Sequence, residues 1–104
     1  MVRVKDNNEI HLTRGDSVVF TVTLTQADGT AYQLGNNDVL IFSIRNEQAV
    51  VLSKEFTTTQ ITLTPQDTKK LACQPYRYEV ELHSGDNVYT VVAWSMFFLE
   101  NEVL

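Results

Sequence analysis

Apolar and polar residues alternate one by one along much of this chain, which is the pattern of β-strands with a single buried face. The clearest run is YRYEVELH at residues 76–83, where apolar and aromatic residues take every second position and Arg, Glu, Glu and His take the others. A strand with this pattern lies in an antiparallel sheet that has one face on the core and one in water. We therefore predict that Val80 and Leu82 point into the core.

The same alternation recurs along the chain, separated by short polar segments that contain Gly, Asn and Asp, the residues that favour turns. It predicts a long, nearly central strand at residues 18–24, with Phe20 facing inward and threonines facing water. It also predicts that Phe20 and Phe42 are fully buried, together with Val80 and Leu82, whereas residues 1–8 are polar. The predicted strands are residues 10–12, 18–24, 31–34, 40–44, 50–56, 61–63 and 76–82, and a pair of strands within residues 88–99.

A short helical turn is predicted just before the strand at residues 76–82. Thr64 is placed to cap it, Pro65 occupies the first helical position, and the Asp67 carboxylate lies near the free amides of the first turn. The strand that follows begins with Tyr76. We predict that Tyr76 is a corner tyrosine, whose hydroxyl group binds backbone near the helical turn.

Roughly eight short strands, one helical turn and no amphipathic helix indicate an all-β fold. The predicted architecture is an immunoglobulin-like antiparallel β-sandwich, with one short helical turn before the Tyr-x-Tyr strand. A length of 104 residues fits one domain with one core, so residues 1–104 are interpreted as a single domain.

The last predicted strand is apolar on both faces. Met96 and Phe98 share one face, while Phe97 and Leu99 share the other. A sandwich strand normally buries one row and leaves the other polar, so a second apolar row needs its own cover. We expect these residues to form an interface, either in a homo-oligomer or with another structural protein.

Composition and charge exclude several classes of protein. The net charge is −5 and the eight basic residues are scattered, which argues against nucleic-acid binding. No apolar stretch is long enough to span a bilayer, and no apolar segment follows the charged start as in a secretory signal. Cys73, the single cysteine, is interpreted as a small core residue and is compatible with a reducing compartment.

The candidates for chemistry each have a simpler structural interpretation. Residues 14–16 spell the Arg-Gly-Asp tripeptide that integrins bind, but a turn between two strands explains them as well. His11 and His83 lie on polar strand faces without a third ligand at a metal-like spacing. Glu79 and Glu81 share a strand face, as a glycosidase pair could, yet a solvated charged face accounts for them. We therefore predict no enzyme, no cofactor and no metal site.

The order of motifs resembles a known family. The segments are LTRGDSVVFTVTL, DGTAYQLGNNDVLIFSIR, ITLTPQDTKKL, YRYEVEL, NVYTVV and FFLENEV. Together they resemble small domains encoded in phages and prophages of Gram-positive bacteria, in particular the N-terminal immunoglobulin-like domain of the phage baseplate upper protein. The resemblance implies a structural protein of a virion or its tail, located in the virion or in the host cytoplasm during assembly. It also implies that the partners are other phage structural proteins.

Two functions remain open at this stage. The first is a non-enzymatic assembly module that acts through sheet faces and edges. The alternative is a carbohydrate-recognition sandwich, in which Trp94 with Tyr32 or Tyr89 forms a stacking platform. The exposure of Trp94 distinguishes them, since a tryptophan in a sandwich core cannot stack on a ligand.

Overall fold

The computed structural model describes residues 8–101 and, for the strand Val2–Val4, the backbone. This part of the chain forms eight strands and one short helix. In chain order they are β1 (Val2–Val4), β2 (Ile10–Thr13), β3 (Val18–Thr21), β4 (Asp38–Arg45), β5 (Val50–Phe56), β6 (Gln60–Leu63), α1 (Pro65–Lys69), β7 (Pro75–Ser84) and β8 (Asn87–Glu100).

The strands form two sheets of unequal size. The larger has the order β1-β2-β8-β7-β4-β5, and the smaller contains β3 and β6. Neighbouring strands are antiparallel except for β2 and β8, which run parallel. Phe20 of the small sheet meets Phe42 of the large one edge to face, with ring centroids 5.9 Å apart. The chain is therefore all-β and sandwich-like, as its alternation predicts.

The core forms where the inward rows of the two sheets meet. Phe42, Val80 and Leu82 are buried there, as predicted, whereas Phe20 is only half-buried and that prediction is wrong. In the described residues β3 has a strand neighbour on one side only, and Phe20 lines an open groove on the other. The largest fully buried side chains are Phe42, Phe97, Ile10, Leu12, Leu40, Ile44, Ile61, Leu63 and Val80.

Three predicted strands differ in the structure. The strand predicted at residues 18–24 is regular only in β3 and is not central, although its alternation of buried and exposed residues continues to Leu24. The strand predicted at residues 31–34 is reduced to one bridge, between Ala31 and Thr25, on either side of a tight turn at residues 26–30. The pair predicted within residues 88–99 is a single strand, β8, whose pairing with β7 shifts register twice.

Helix α1 begins as its sequence predicts. The Asp67 carboxylate accepts hydrogen bonds from the Thr64 backbone N–H at 2.7 Å and from the Lys54 ammonium at 2.8 Å. Burial alone would raise the pKa of Asp67, but Lys54 and Thr64 outweigh it, so this pKa is lowered. Because Lys54 lies on β5, the same carboxylate caps the helix and ties it to the large sheet.

Tyr76 occupies the corner between α1 and β7. Its ring is buried, and its hydroxyl group donates a hydrogen bond to the Ala72 carbonyl oxygen at 2.7 Å. The prediction that this hydroxyl binds nearby backbone is confirmed. The bond holds the segment after α1 against the start of β7.

We predict that Tyr76→Phe lowers the free energy of unfolding by about 1 kcal/mol, because the part-buried hydrogen bond from the Tyr76 hydroxyl to the Ala72 carbonyl is lost. Urea melts would measure the change. Tyr89→Phe is the matched control, since the Tyr89 side chain is 53% exposed and its hydroxyl is expected to contribute little. Equal destabilisation by both variants would contradict the corner assignment.

We also predict that Phe42→Ala destabilises the fold by about 3–5 kcal/mol, because it leaves a cavity between the sheets. Phe20→Ala should cost clearly less, since part of its ring already meets solvent. Thermal melts of both variants would test the difference. A Phe42→Ala protein as stable as the parent would be incompatible with this core.

Candidate functional site

The predicted interface residues divide between the two faces of β8. Phe97 and Leu99 are buried in the core, where they belong to the inward row of the large sheet. Met96 and Phe98 point to the outer face and are half-buried. Of the four residues, only these two are therefore available to a partner of the folded chain.

Phe98 is partly covered by its neighbour on β2. The His11 ring stacks on it, with centroids 4.6 Å apart and an angle of 21° between the planes. The His11 Nδ1 atom lies 3.3 Å from a Glu100 carboxylate oxygen, and the His11 side chain is only 16% exposed. His11 is thus a packed residue and not the surface histidine that the sequence indicates. The outer apolar row of β8 is most exposed to solvent from Met96 toward Trp94.

Two arginines meet on this outer face. Arg45 of β4 lies directly opposite Arg77 of β7, and Met96 of β8 is the next residue across the sheet. The Arg45 guanidinium carbon lies over the Trp94 ring, 5.7 Å from its centroid. These side chains border a shallow depression of 540 Å³, which we call the arginine groove, and its lining residues are Arg45, Asn46, Glu47, Pro75, Tyr76, Arg77, Trp94 and Met96.

The charges on this face are separated along the strands. Like charges directly opposite each other destabilise a sheet, and within the described residues neither Arg45 nor Arg77 has a carboxylate at ion-pair distance. Glu79 lies further along β7, and burial raises its pKa, with Glu81 adding to the rise and Arg45 opposing it. The face is positive at the arginine groove and negative beyond it.

The edge of β8 that faces away from β7 has little cover. Strand β2 pairs with residues 97–100 of β8, and within the described residues no strand pairs with residues 87–96 on that edge. Between Asp86 and Glu100 the chain has no charged residue. Two devices modify this edge: the register shifts opposite β7, and a hydrogen bond of 2.8 Å from the Ser95 hydroxyl to the Ala93 carbonyl.

Tyr32 and Tyr89 lie away from Trp94. Both line a cavity of 570 Å³ between β8 and the segment at residues 23–27. The Tyr32 hydroxyl donates to the Asp38 carboxylate at 2.5 Å. The pKa of Asp38 is lowered, chiefly by the Gly35 backbone N–H and then by Ser84 and Tyr32. The stacking platform that the alternative function requires is therefore not assembled.

The remaining candidates for chemistry stay separate. No group of three or more His, Cys, Asp or Glu side chains in the described residues is arranged to hold a metal ion. His83 Nε2 lies 3.2 Å from a Glu81 carboxylate oxygen, and Cys73 is a half-buried free thiol against the core. Residues 14–15 form a turn, in which Gly15 takes a φ of 93°. Helix α1, the one helix in the described part, has five residues, far too few to cross a bilayer.

Comparison with known proteins gives no relative. No family model, no curated protein and no solved structure matches this chain. The resemblance to a phage baseplate domain thus stays a hypothesis based on motifs.

Sequence reasoning missed the arginine groove. Alternation already placed Arg45 and Arg77 on polar faces, but it contains no information on which strands are neighbours or in what register. A lone Trp94 likewise reads as a core residue, whereas it is 42% exposed. The signal that the sequence did offer was the presence of Arg45, Arg77 and Trp94 within or next to predicted strands.

We predict that iodide quenches the fluorescence of Trp94, the single tryptophan, despite the net charge of −5, because the two arginines attract the anion locally. Removing one charge in Arg77→Gln should reduce the iodide quenching constant by about twofold at low salt. Quenching by neutral acrylamide should not change, which controls for altered exposure of the ring. Equal loss with both quenchers would indicate that Trp94 has moved.

Proposed function

We propose that this chain is a non-enzymatic assembly module that acts through protein–protein contacts. On the resemblance of its motifs, it is a structural component of a phage or prophage particle, of the tail or baseplate type. It acts in the virion, or in the host cytoplasm during assembly. Its partners are further copies of itself and other structural proteins of the particle.

We further propose that the sandwich is of the immunoglobulin type. Three observations support this assignment. The large sheet places the last strand, β8, beside β7, followed by β4 and β5, and β3 pairs with β6 in the other sheet, as in variable-type domains. Strands β7 and β8 form an antiparallel hairpin. The Tyr76 hydroxyl binds backbone four residues upstream, as a tyrosine corner does.

The observation that carries the assembly function is the open edge of β8. Within the described residues no strand pairs with the edge of residues 87–96 that faces away from β7, so the backbone groups on that edge can pair with another strand, apart from the Ala93 carbonyl, which accepts the Ser95 hydroxyl. Natural edge strands are commonly protected by charged residues or proline, and β8 has neither between Asp86 and Glu100. Its exposed valine, Val88, adds apolar surface to the same strand. A neighbouring chain that adds a strand here would satisfy the backbone and extend the sheet.

A second copy of the chain is a suitable neighbour. The edge is uncharged, so two copies of β8 can approach each other antiparallel about a two-fold axis without like charges meeting in the ladder. Met96 and Phe98 lie on the outer face of the same strand, on a surface separate from this edge.

We predict that sedimentation equilibrium of the parent gives a mass above 11.8 kDa, the mass of one chain, at micromolar concentration and above. Val88→Lys should return the monomer, because a buried lysine at the strand edge is costly. Val19→Lys is the matched control: Val19 is 58% exposed and Val88 54% exposed, but Val19 lies on β3. A parent that stays monomeric up to millimolar concentration would contradict self-association at this edge.

Carbohydrate recognition remains the second candidate, and one observation favours it. Trp94 is exposed enough to contact a ligand. Against it, Tyr32 and Tyr89 line a different cavity, and Arg45 lies over the Trp94 ring. A saturable change in Trp94 fluorescence on adding neutral oligosaccharides, together with calorimetric binding that is lost in Trp94→Ala, would support this function over assembly.

A further inference from the structure

We infer that the arginine groove binds a single carboxylate of a partner polypeptide, with an apolar or aromatic residue of that partner packed beside it. This inference rests on the proposed assembly function, because it names the chemistry of one partner contact. The groove lies on the outer sheet face, whereas the open edge of β8 lies at its side, so the two contacts are separate surfaces.

The arginine groove contains a pair of cations. Arg45 and Arg77 are directly opposite in the β4–β7 ladder, so their Cβ atoms are about 4.5–5.5 Å apart. Two positive side chains that start from opposite positions on one sheet face repel each other, and an anion bound between them would relieve that repulsion. A carboxylate accepts hydrogen bonds from both, and charge-assisted bonds of this kind are among the strongest that a surface makes.

Two contacts hold the Arg45 side chain in place. Its Nε–H group donates to the Asn46 carbonyl oxygen at 3.3 Å, and its guanidinium group lies over the Trp94 ring. These contacts restrict the side chain before any ligand arrives. Less conformational entropy is then lost on binding, which makes such an arginine a better anchor than one free in solvent.

Apolar side chains surround the two arginines. Trp94, Met96 and Pro75 line the groove next to the arginines. Tryptophan and arginine are the residue types most enriched at the energetic centres of protein interfaces, and methionine is enriched in interfaces generally. A polypeptide that offers one acidic side chain and one neighbouring apolar side chain matches both parts of this surface.

The groove is less suited to other anions. Glu47 also lines it, so a polyanion such as a nucleic acid would be repelled by this carboxylate and by the net charge of −5. A saccharide ring needs an open aromatic face, and Arg45 already occupies one face of Trp94. One carboxylate with an apolar neighbour fits best.

The test is a titration of the full chain with N-acetyl-phenylalanine, which joins a carboxylate to an aromatic ring. The NMR signals of the arginine Nε–H groups and of the Trp94 indole N–H report directly on the groove. We expect saturable shifts of the Arg45, Arg77 and Trp94 signals, with a dissociation constant on the order of 1 mM for so small a probe. N-acetyl-phenylalanine amide, which has no charge, should bind at least about tenfold more weakly.

Matched variants separate the groove from general charge effects. Arg45→Gln and Arg77→Gln should each weaken binding of the probe about tenfold or more. Lys69→Gln removes the same charge from an exposed position on α1 and should leave binding unchanged. Arg45 is half-buried, so its replacement could also disturb the fold. Arg77 is exposed and can be replaced with little risk to the fold, so its variant gives an independent result.

Absence of shifts at Arg45, Arg77 and Trp94 would overturn the inference, and so would equal binding of the neutral amide. Binding of glucuronic acid as tight as that of N-acetyl-phenylalanine would also overturn it, because it would indicate a site for a saccharide or for any anion. The titration is repeated in Val88→Lys, in which the β8 edge is blocked. Probe binding there shows that the groove acts without self-association. Self-association without probe binding would leave the assembly proposal standing and remove this one.

Discussion

The pairing of β8 with β7 is the interaction on which the rest of this structure depends. It extends along nearly the whole of both strands, and it sets which residues of β8 face the core. Residues opposite each other in the ladder point to the same face of the sheet. Phe97 therefore points inward with Tyr76, and Met96 points outward with Arg77. Phe97 then fills the core, and Met96 is left on the outer face beside the arginines.

The same ladder leaves β8 in two environments. Its last residues lie in the middle of the large sheet between β7 and the parallel strand β2, where the backbone is paired on both sides. Its first residues lie at an edge, where only β7 is beside them in the described structure. The register shifts occur in this half, and such irregularities bend and twist a strand. They distort an edge that has no charged residue to protect it from pairing with other strands.

The outer face of the large sheet shows a comparable compromise. A fold optimised for stability alone would not place Arg45 opposite Arg77, since either a carboxylate or a neutral residue would relieve the repulsion. Stacking on Trp94 and the hydrogen bond to Asn46 offset part of this cost for Arg45. Proteins commonly accept such an unfavourable pair at a functional site. A pair of like charges on a face that also exposes apolar side chains is therefore expected of a binding surface.

The local features of this protein could be predicted from its sequence. The alternation of residues 76–83, the cap of α1 by Thr64 and Asp67, and the bond of the Tyr76 hydroxyl to nearby backbone all depend on residues close together in the chain. Tertiary structure alone decided the features that depend on strand order and register: the parallel pairing of β2 with β8, the half-burial of Phe20, the inward choice of Phe97 over Phe98, and the meeting of Arg45 with Arg77. Alternation gives each strand two faces but is symmetric between them. The choice is made only when distant strands pair, because a shift of one residue in register would exchange the two faces.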